Sequence, residues 1–240
     1  MTRAIIFATS IERKKIIEGA MSQVSRIYSD EWSVVARLRE VFDASKEDFI
    51  PIIREVVGAM ADAVDDDPSF TSGMFGHIHG VRNTRGMFRQ KGWKRLSKNG
   101  NELVKHPEKD LSVGYQTVDL AANSEHRPKA ISGKGAGAKQ IIDESQATWL
   151  RLFDSEAVHP TQPTNTGLWH LCVSVDEDDV RAEISLSSGV TIESGSKKGN
   201  FDHFIERIFL IQKDEWGELL GITRDDDDDA IEFEPVIQRK

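Results

Sequence analysis

Nine cationic side chains fall within residues 82–109, RNTRGMFRQKGWKRLSKNGNELVKHPEK, of a chain whose formal net charge is −9. Arg82, Arg85, Arg89, Lys91, Lys94, Arg95, Lys98, Lys105 and Lys109 are set against only Glu102 and Glu108, a local +7 that leaves −16 on the rest. Guanidinium and ammonium groups at that density suit a polyanion, because each phosphate contact releases a condensed counterion. Phe88 and Trp93, interleaved with the charges, are expected to stack or wedge against bases. A second stretch, SGKGAGAK at 132–139, places Gly133, Gly135 and Gly137 before a predicted helix. Open amides, the positive end of that helix, Lys134 and Lys139 together have the chemistry of a phosphate clamp. The spacing is not that of a Walker loop, since Ala138 precedes Lys139 and the four-residue gap is missing. Arg127 and Lys129 extend the basic territory and favour a nucleic acid over a mononucleotide. The plainer alternative is that these cations balance acidic surface on this chain or on a protein partner.

Carboxylates gather elsewhere. Asp178 and Asp179 mark a turn between two alternating runs, LWHLCVSV and VRAEISLS, and Glu183 and Ser185 share one face of the second. Residues 171–186 resemble the PD-(D/E)xK nuclease superfamily, in which an acid near one strand and a Glu-x-Lys on the next bind magnesium. The resemblance implies that Asp179 and Glu183 hold a Mg2+ ion that activates water for phosphodiester cleavage. Asp119, in YQTVDLA, is the other candidate for the first acid. The lysine position is Ser185, and the Pro-Asp signature is missing. The alternative is a solvated sheet face on which Arg181 and Glu183 pair, worth at most ~1 kcal/mol.

Other reactive residues are sparser. His77 and His79 in GHIHG alternate, and a strand would put both imidazoles on one side, where a third ligand would complete a transition-metal site. His106, His126 and His159 are available for that only in sequence terms, and surface or phosphate-contacting histidines are the simpler reading. Cys172 alternates with His170 and reads as a packed core residue. As the single cysteine it excludes an internal disulfide and a multi-cysteine zinc site, in keeping with a reducing cytoplasm. The run Asp225–Asp229 is suited to mimicking a phosphate backbone or covering the basic stretch in cis, although such runs are ordinarily solvated loops.

The elements that must position these residues follow from periodicity. Thr9 and Glu12 have the form of a capping box before a helix with Ile16, Ile17, Ala20, Met21 and Val24 on one side. A second helix is predicted over 31–42, with Trp32, Val35, Leu38 and Phe42 inward. A third is opened by Ser45 and Asp48, burying Phe49, Ile53, Val56, Met60 and Val64. Residues 68–110 read as irregular, with short strands around 74–78. YQTVDLA reads as a buried strand, 138–153 as a helix bearing Ile142, Trp149 and Leu152, and AVHPTQPTNTG as a loop. The runs flanking DEDD make a β-hairpin with Leu171, Val173, Val175, Val180, Ala182, Ile184 and Leu186 toward the core. GNFDHFIERIFLI is expected to form an amphipathic helix, IEFEPVI a strand, and Trp216 to join Trp32 and Trp149 in the core. No apolar run approaches membrane-span length, and the N-terminus lacks a signal-peptide pattern.

The expectation is an α/β or α+β chain, with a helical region over 1–67 and a mixed domain over 68–240 around a small, largely antiparallel sheet. Its function is expected to be nucleic-acid binding, with DNA favoured over RNA. A magnesium-dependent restriction-like nuclease is the enzymatic version, and a noncatalytic adaptor with a basic docking surface for a protein partner is the competing class.

Overall fold

The structure, a computed structural model, describes residues 25–152, 165–176 and 179–220. The expected first helix, the side chain of Trp149, most of the AVHPTQPTNTG loop, Asp178, the aspartate run and the terminal strand lie outside the described residues.

A short strand, β1 (Arg26–Tyr28), precedes two helices that form where periodicity predicts them, α1 (Glu31–Phe42) and α2 (Lys46–Ala61). Asp30 caps α1 by accepting the Ser33 amide at 3.0 Å, and Asp43, left-handed at φ 51°, ends it. The Ser45 amide donates to Asp48 Oδ2 at 2.9 Å at the start of α2. The buried face of α1 is Val34, Arg37, Leu38, Val41 and Phe42, which leaves Trp32 81% exposed rather than in the core. The residue that sequence reading left out is Arg37, which is buried because it ion-pairs with buried Glu206 at 2.8 Å.

Residues 68–110 are ordered, not irregular. They form a 20-residue helix, α3 (Thr71–Gln90), and a hairpin, β2 (Lys94–Lys98) and β3 (Asn101–Lys105). The glycines that suggest a loop make a groove instead. Gly76, Gly80 and Thr84 recur every fourth residue on the buried face of α3, where a side chain on Gly76 would strike Met60 of α2 and one on Gly80 the ring of Tyr115. Small residues at that spacing let the helix approach both neighbours closely, which offsets their low propensity.

The remaining strands are β4 (Leu111–Thr117), β5 (Gly167–Asp176), β6 (Asp179–Ser187), β7 (Val190–Thr191), β8 (Asn200–Phe201) and β9 (Phe204–Ile211), with α4 (Ala136–Leu152) between β4 and β5 and α5 (Glu215–Leu219) last. Seven strands form one sheet in the order β1-β9-β6-β5-β4-β3-β2, larger and more mixed than expected. β4 runs parallel to β5 and β1 to β9, and the other pairs are antiparallel. A parallel neighbour requires a long crossover, and α4 with the loop before it supplies the one between β4 and β5. The β5–β6 hairpin forms as predicted, with Val173 opposite Ala182. The segment expected as a helix at 199–211 is β8 and β9. Its charged pair belongs to a strand buried on both faces: Glu206 meets Arg37 on one side and Arg207 meets Glu183 on the other. Central strands of this kind read as continuous apolar runs with no clear alternation.

One hydrophobic core joins α1, α2, α3 and α5 to one face of the sheet, through Phe42, Phe49, Phe88, Trp93, Trp169, Ile184 and Trp216 among others. The opposite face is covered by α4, the β7–β8 hairpin and the loop 118–135, with a smaller core of Leu103, Ile141, Ile142, Leu168, Phe201 and Phe204. No helix among the described residues is long and apolar enough to cross a membrane.

Candidate functional site

Strand alternation divides the cationic segment between the two sides of the sheet edge. Arg95 of β2 lies opposite Val104, which is part of the helix-side core, while Leu96 lies opposite Leu103, which belongs to the core under α4. Arg95 is therefore on the α3 side, whereas Lys94 and Lys98 are on the α4 side. Arg82, Arg85 and Arg89 recur at three- and four-residue steps along α3.

Several of these cations already have acidic partners within the chain. Arg85 reaches Glu102 at 2.5 Å and also donates to the carbonyls of Leu96 and Leu103. Lys91 pairs with Asp48 at 3.2 Å, Lys98 with Glu144 at 2.5 Å and Lys105 with Asp110 at 3.1 Å. Arg82, Arg89, Lys94, Arg95 and Lys109 are exposed and, among the described residues, have no acidic partner. All but Lys109 sit on the second half of α3 or the first two residues of β2. Trp93, expected to stack on bases, is instead 5% exposed, its ring 4.5 Å from that of fully buried Phe88 and 5.1 Å from that of His106. The Trp93 amide bonds back to the Phe88 carbonyl, and this turn pulls both aromatics into the core.

SGKGAGAK does precede a helix, but Lys134 does not face solvent. Its backbone pairs with Gly199 in both directions, and its buried ammonium lies 5.1 Å over the Phe201 ring. Burial pushes the Lys134 ammonium pKa down to about 8. A side chain on Gly133 would press on the Lys198 side chain and the Gly199 carbonyl, and one on Gly137 would collide with the Asn99 carbonyl. Two of the three glycines are thus explained by close packing. Lys139, half-buried, pairs with Asp143 at 2.9 Å.

The polar face of the β5–β6 hairpin is buried, not solvated. Glu183, fully buried, accepts from the Arg207 Nε and Nη2 at 2.9 and 2.6 Å, from the Ser185 hydroxyl at 2.5 Å and from the Ala122 amide at 2.7 Å. Arg207 Nη1 donates to the carbonyls of Asn123 and His126. Ala122 adopts a left-handed φ of 46°, which brings its amide onto the carboxylate. The pair thereby clamps loop 118–135 to the sheet. His170 and Cys172 lie beside it. Burial, then the Lys134 charge, holds the His170 imidazole well below its ordinary pKa, and His170 Nδ1 has no hydrogen-bond partner among the described residues. Burial, with Glu183 adding, pushes the Cys172 thiol above its ordinary range, so it is not a nucleophilic thiolate.

The acids implied by the nuclease resemblance have separate roles. Asp179 is bonded by the Arg181 side chain through both carboxylate oxygens. Asp119 closes the neck of loop 118–131, accepting the Lys129 and Leu120 amides at 2.7 and 2.8 Å and lying 3.1 Å from His126 Nε2. Burial alone would raise the Asp119 carboxyl, but those hydrogen bonds outweigh it and hold it below its ordinary value. Among the described residues, no group of three or more His, Cys, Asp or Glu side chains is arranged to hold a metal ion. His77 and His79 stand on a helix and not on a strand, which turns them apart: His77 lies near the Tyr115 ring and His79 Nδ1 is 3.8 Å from Glu55.

Sequence reasoning missed the two buried ion pairs, Arg37–Glu206 and Glu183–Arg207. The available signal was a charge of each sign inside otherwise apolar runs, in RAEISL and FIERIFLI. No protein-family model matches this chain, and no curated protein or solved structure matches it either.

Proposed function

We propose that the chain binds nucleic acid, DNA in the first instance, at the corner where α3 ends and β2 begins. The observation that carries this reading is that Arg82 and Arg89 of α3 and Arg95 of β2, on the same side of the sheet edge, are exposed and without acidic partners among the described residues, as is Lys94 at the same strand end on the other side. Their cationic neighbours Arg85, Lys91 and Lys98 each reach a carboxylate of the chain. Like charges grouped without a counter-charge repel one another, and a phosphate backbone relieves that repulsion while releasing its own counterions. With Trp93 and Phe88 in the core, recognition is of the backbone and not of stacked bases. The reading stops at binding, since the oxygens of Glu183 and Asp179 are engaged by arginines of the chain.

The test is fluorescence anisotropy of a labelled DNA duplex, and of an RNA of the same length, across a salt series. Lys94→Glu with Arg95→Glu is expected to weaken DNA binding about tenfold or more and to lower the salt slope by roughly two. Lys139→Glu, at a cation already paired with Asp143, is expected to change affinity much less. Unchanged binding in the double variant overturns the proposal, as does equal loss with Lys139→Glu. Tighter binding of the RNA reassigns the polyanion.

A further inference from the structure

The outer face of α3 carries an apolar stripe that nothing among the described residues covers. Phe70, at the cap, and Met74 and Ile78 are 64%, 43% and 43% exposed, at four-residue steps that bring them onto neighbouring turns. One more step along the same line is Arg82, followed by Arg89. The surface is thus apolar at one end and cationic at the other.

The chain contains a segment of matching pattern. Residues 221–240 run GITR, then five aspartates, then AIEFEPVI, and carry seven acidic against three basic residues, a net −4. Residues 1–24 carry four basic against two acidic residues, a net +2, so the arginines of α3 disfavour them. A second copy of the same face would set arginine against arginine. The described chain also ends close by. The Leu219 carbonyl accepts from Arg54 of α2 at 2.7 Å, and the next residue along that helix, Glu55, lies 3.8 Å from His79 of α3. Four extended residues span about 13 Å, comparable to one helix diameter of about 10 Å. GITR is long enough to cross α2 and deliver the aspartates to the arginine end.

We infer that residues 221–240 dock along the outer face of α3, Asp225–Asp229 against Arg82 and Arg89 and the Ile231–Phe233 region on Met74 and Ile78. The chain then runs antiparallel to the helix, which is the only direction that satisfies both halves of the pattern. The inference deepens the nucleic-acid reading and in part rests on it, because the arginines the tail would occupy are among those proposed to meet phosphate.

Paired cysteines test it in the full-length chain. Ile78→Cys with Phe233→Cys is oxidised at low protein concentration, and the product is read by mass and by mobility without reductant; native Cys172 is fully buried. An intramolecular disulfide is expected to form about tenfold faster than in Ile131→Cys with Phe233→Cys, which places one thiol on an exposed site in the loop over the opposite face of the sheet. Replacing all five aspartates by asparagine is expected to abolish that preference and to tighten DNA binding about fivefold. Equal rates for the two pairs overturn the docking. So does a faster reaction between Ile78→Cys and Ile17→Cys, or a dimeric disulfide that grows with concentration. If the preferred disulfide forms and neither chain binds DNA, the docking stands and the nucleic-acid reading fails. If DNA binds and the disulfide shows no preference, the docking fails alone.

Discussion

Lys134 shows how far one side chain can depart from the role its neighbours suggest. Set among glycines before a helix, it has the sequence context of a phosphate ligand, yet it lies buried over an aromatic ring, and burial brings its pKa down to about 8. In the unfolded chain the ammonium titrates near ~10.4. Between those values the unfolded state binds the extra proton, so stability rises as pH climbs through that interval. Below pH 8 both states are charged and the folded one carries the whole desolvation cost. Lys134→Met, which keeps the apolar stem, is therefore expected to stabilise the protein by about 3 kcal/mol at pH 7. The gain should shrink toward zero as pH approaches 10.5, the ordinary lysine value. Urea unfolding of both proteins at pH 7 and near pH 10 checks this. A constant difference at both pH values would mean that packing, not charge, governs the site. Glu183 is a companion case. Its strand position suggests a metal ligand, but it accepts four hydrogen bonds from the chain itself.

At the scale of elements, α3 distinguishes glycines that look alike in sequence. Gly80 faces the Tyr115 ring with no space for a methyl group, while Gly86 has nothing within 4 Å. Gly80→Ala is expected to destabilise by about 1–3 kcal/mol through overpacking. Gly86→Ala should stabilise by roughly 0.5–1 kcal/mol through helix propensity. Thermal or urea midpoints give both, and equal effects would refute the groove. This helix also marks where sequence reading failed. Periodicity identified α1, α2 and α4, each with an exposed side to contrast with its core side, and the β5–β6 hairpin, whose second face is buried but polar, with His170, Ser174, Glu183 and Ser185 alternating with the apolar residues. It failed for α3, whose buried face is Thr71, Gly76, Gly80 and Thr84 with Phe88 as the one large apolar residue, and so lacks an apolar stripe. It failed for β9, whose two faces are both buried and whose charges are each hidden in an ion pair. Of the candidate site, the clustering of cations was legible. The pairing that leaves only some of them free depends on Asp48, Glu144 and Asp110, two of them distant in sequence.

For the whole molecule, the decisive feature is that a single core runs from α1 and α2 through α3 to the sheet. Phe42 touches Phe49 and Phe88 through ring edges and Trp169 of β5 at 5.2 Å between centroids. Helices before residue 67 and strands after it are therefore expected to unfold together. Far-ultraviolet circular dichroism and tryptophan fluorescence should give coincident denaturant transitions, and two separated steps would show that the helices form a unit of their own. The seam between the β2–β3 turn and α4 has a mechanical corollary. Gly137 leaves no space beside Asn99, whose amide also reaches Gln140 at 3.1 Å, and Lys98 grips Glu144 one turn further on. Two segments some forty residues apart in the chain are thus tied together by a close backbone approach, a hydrogen bond and an ion pair. Peeling the β2–β3 turn off α4 would have to break all three at once, so the turn cannot come away piecemeal.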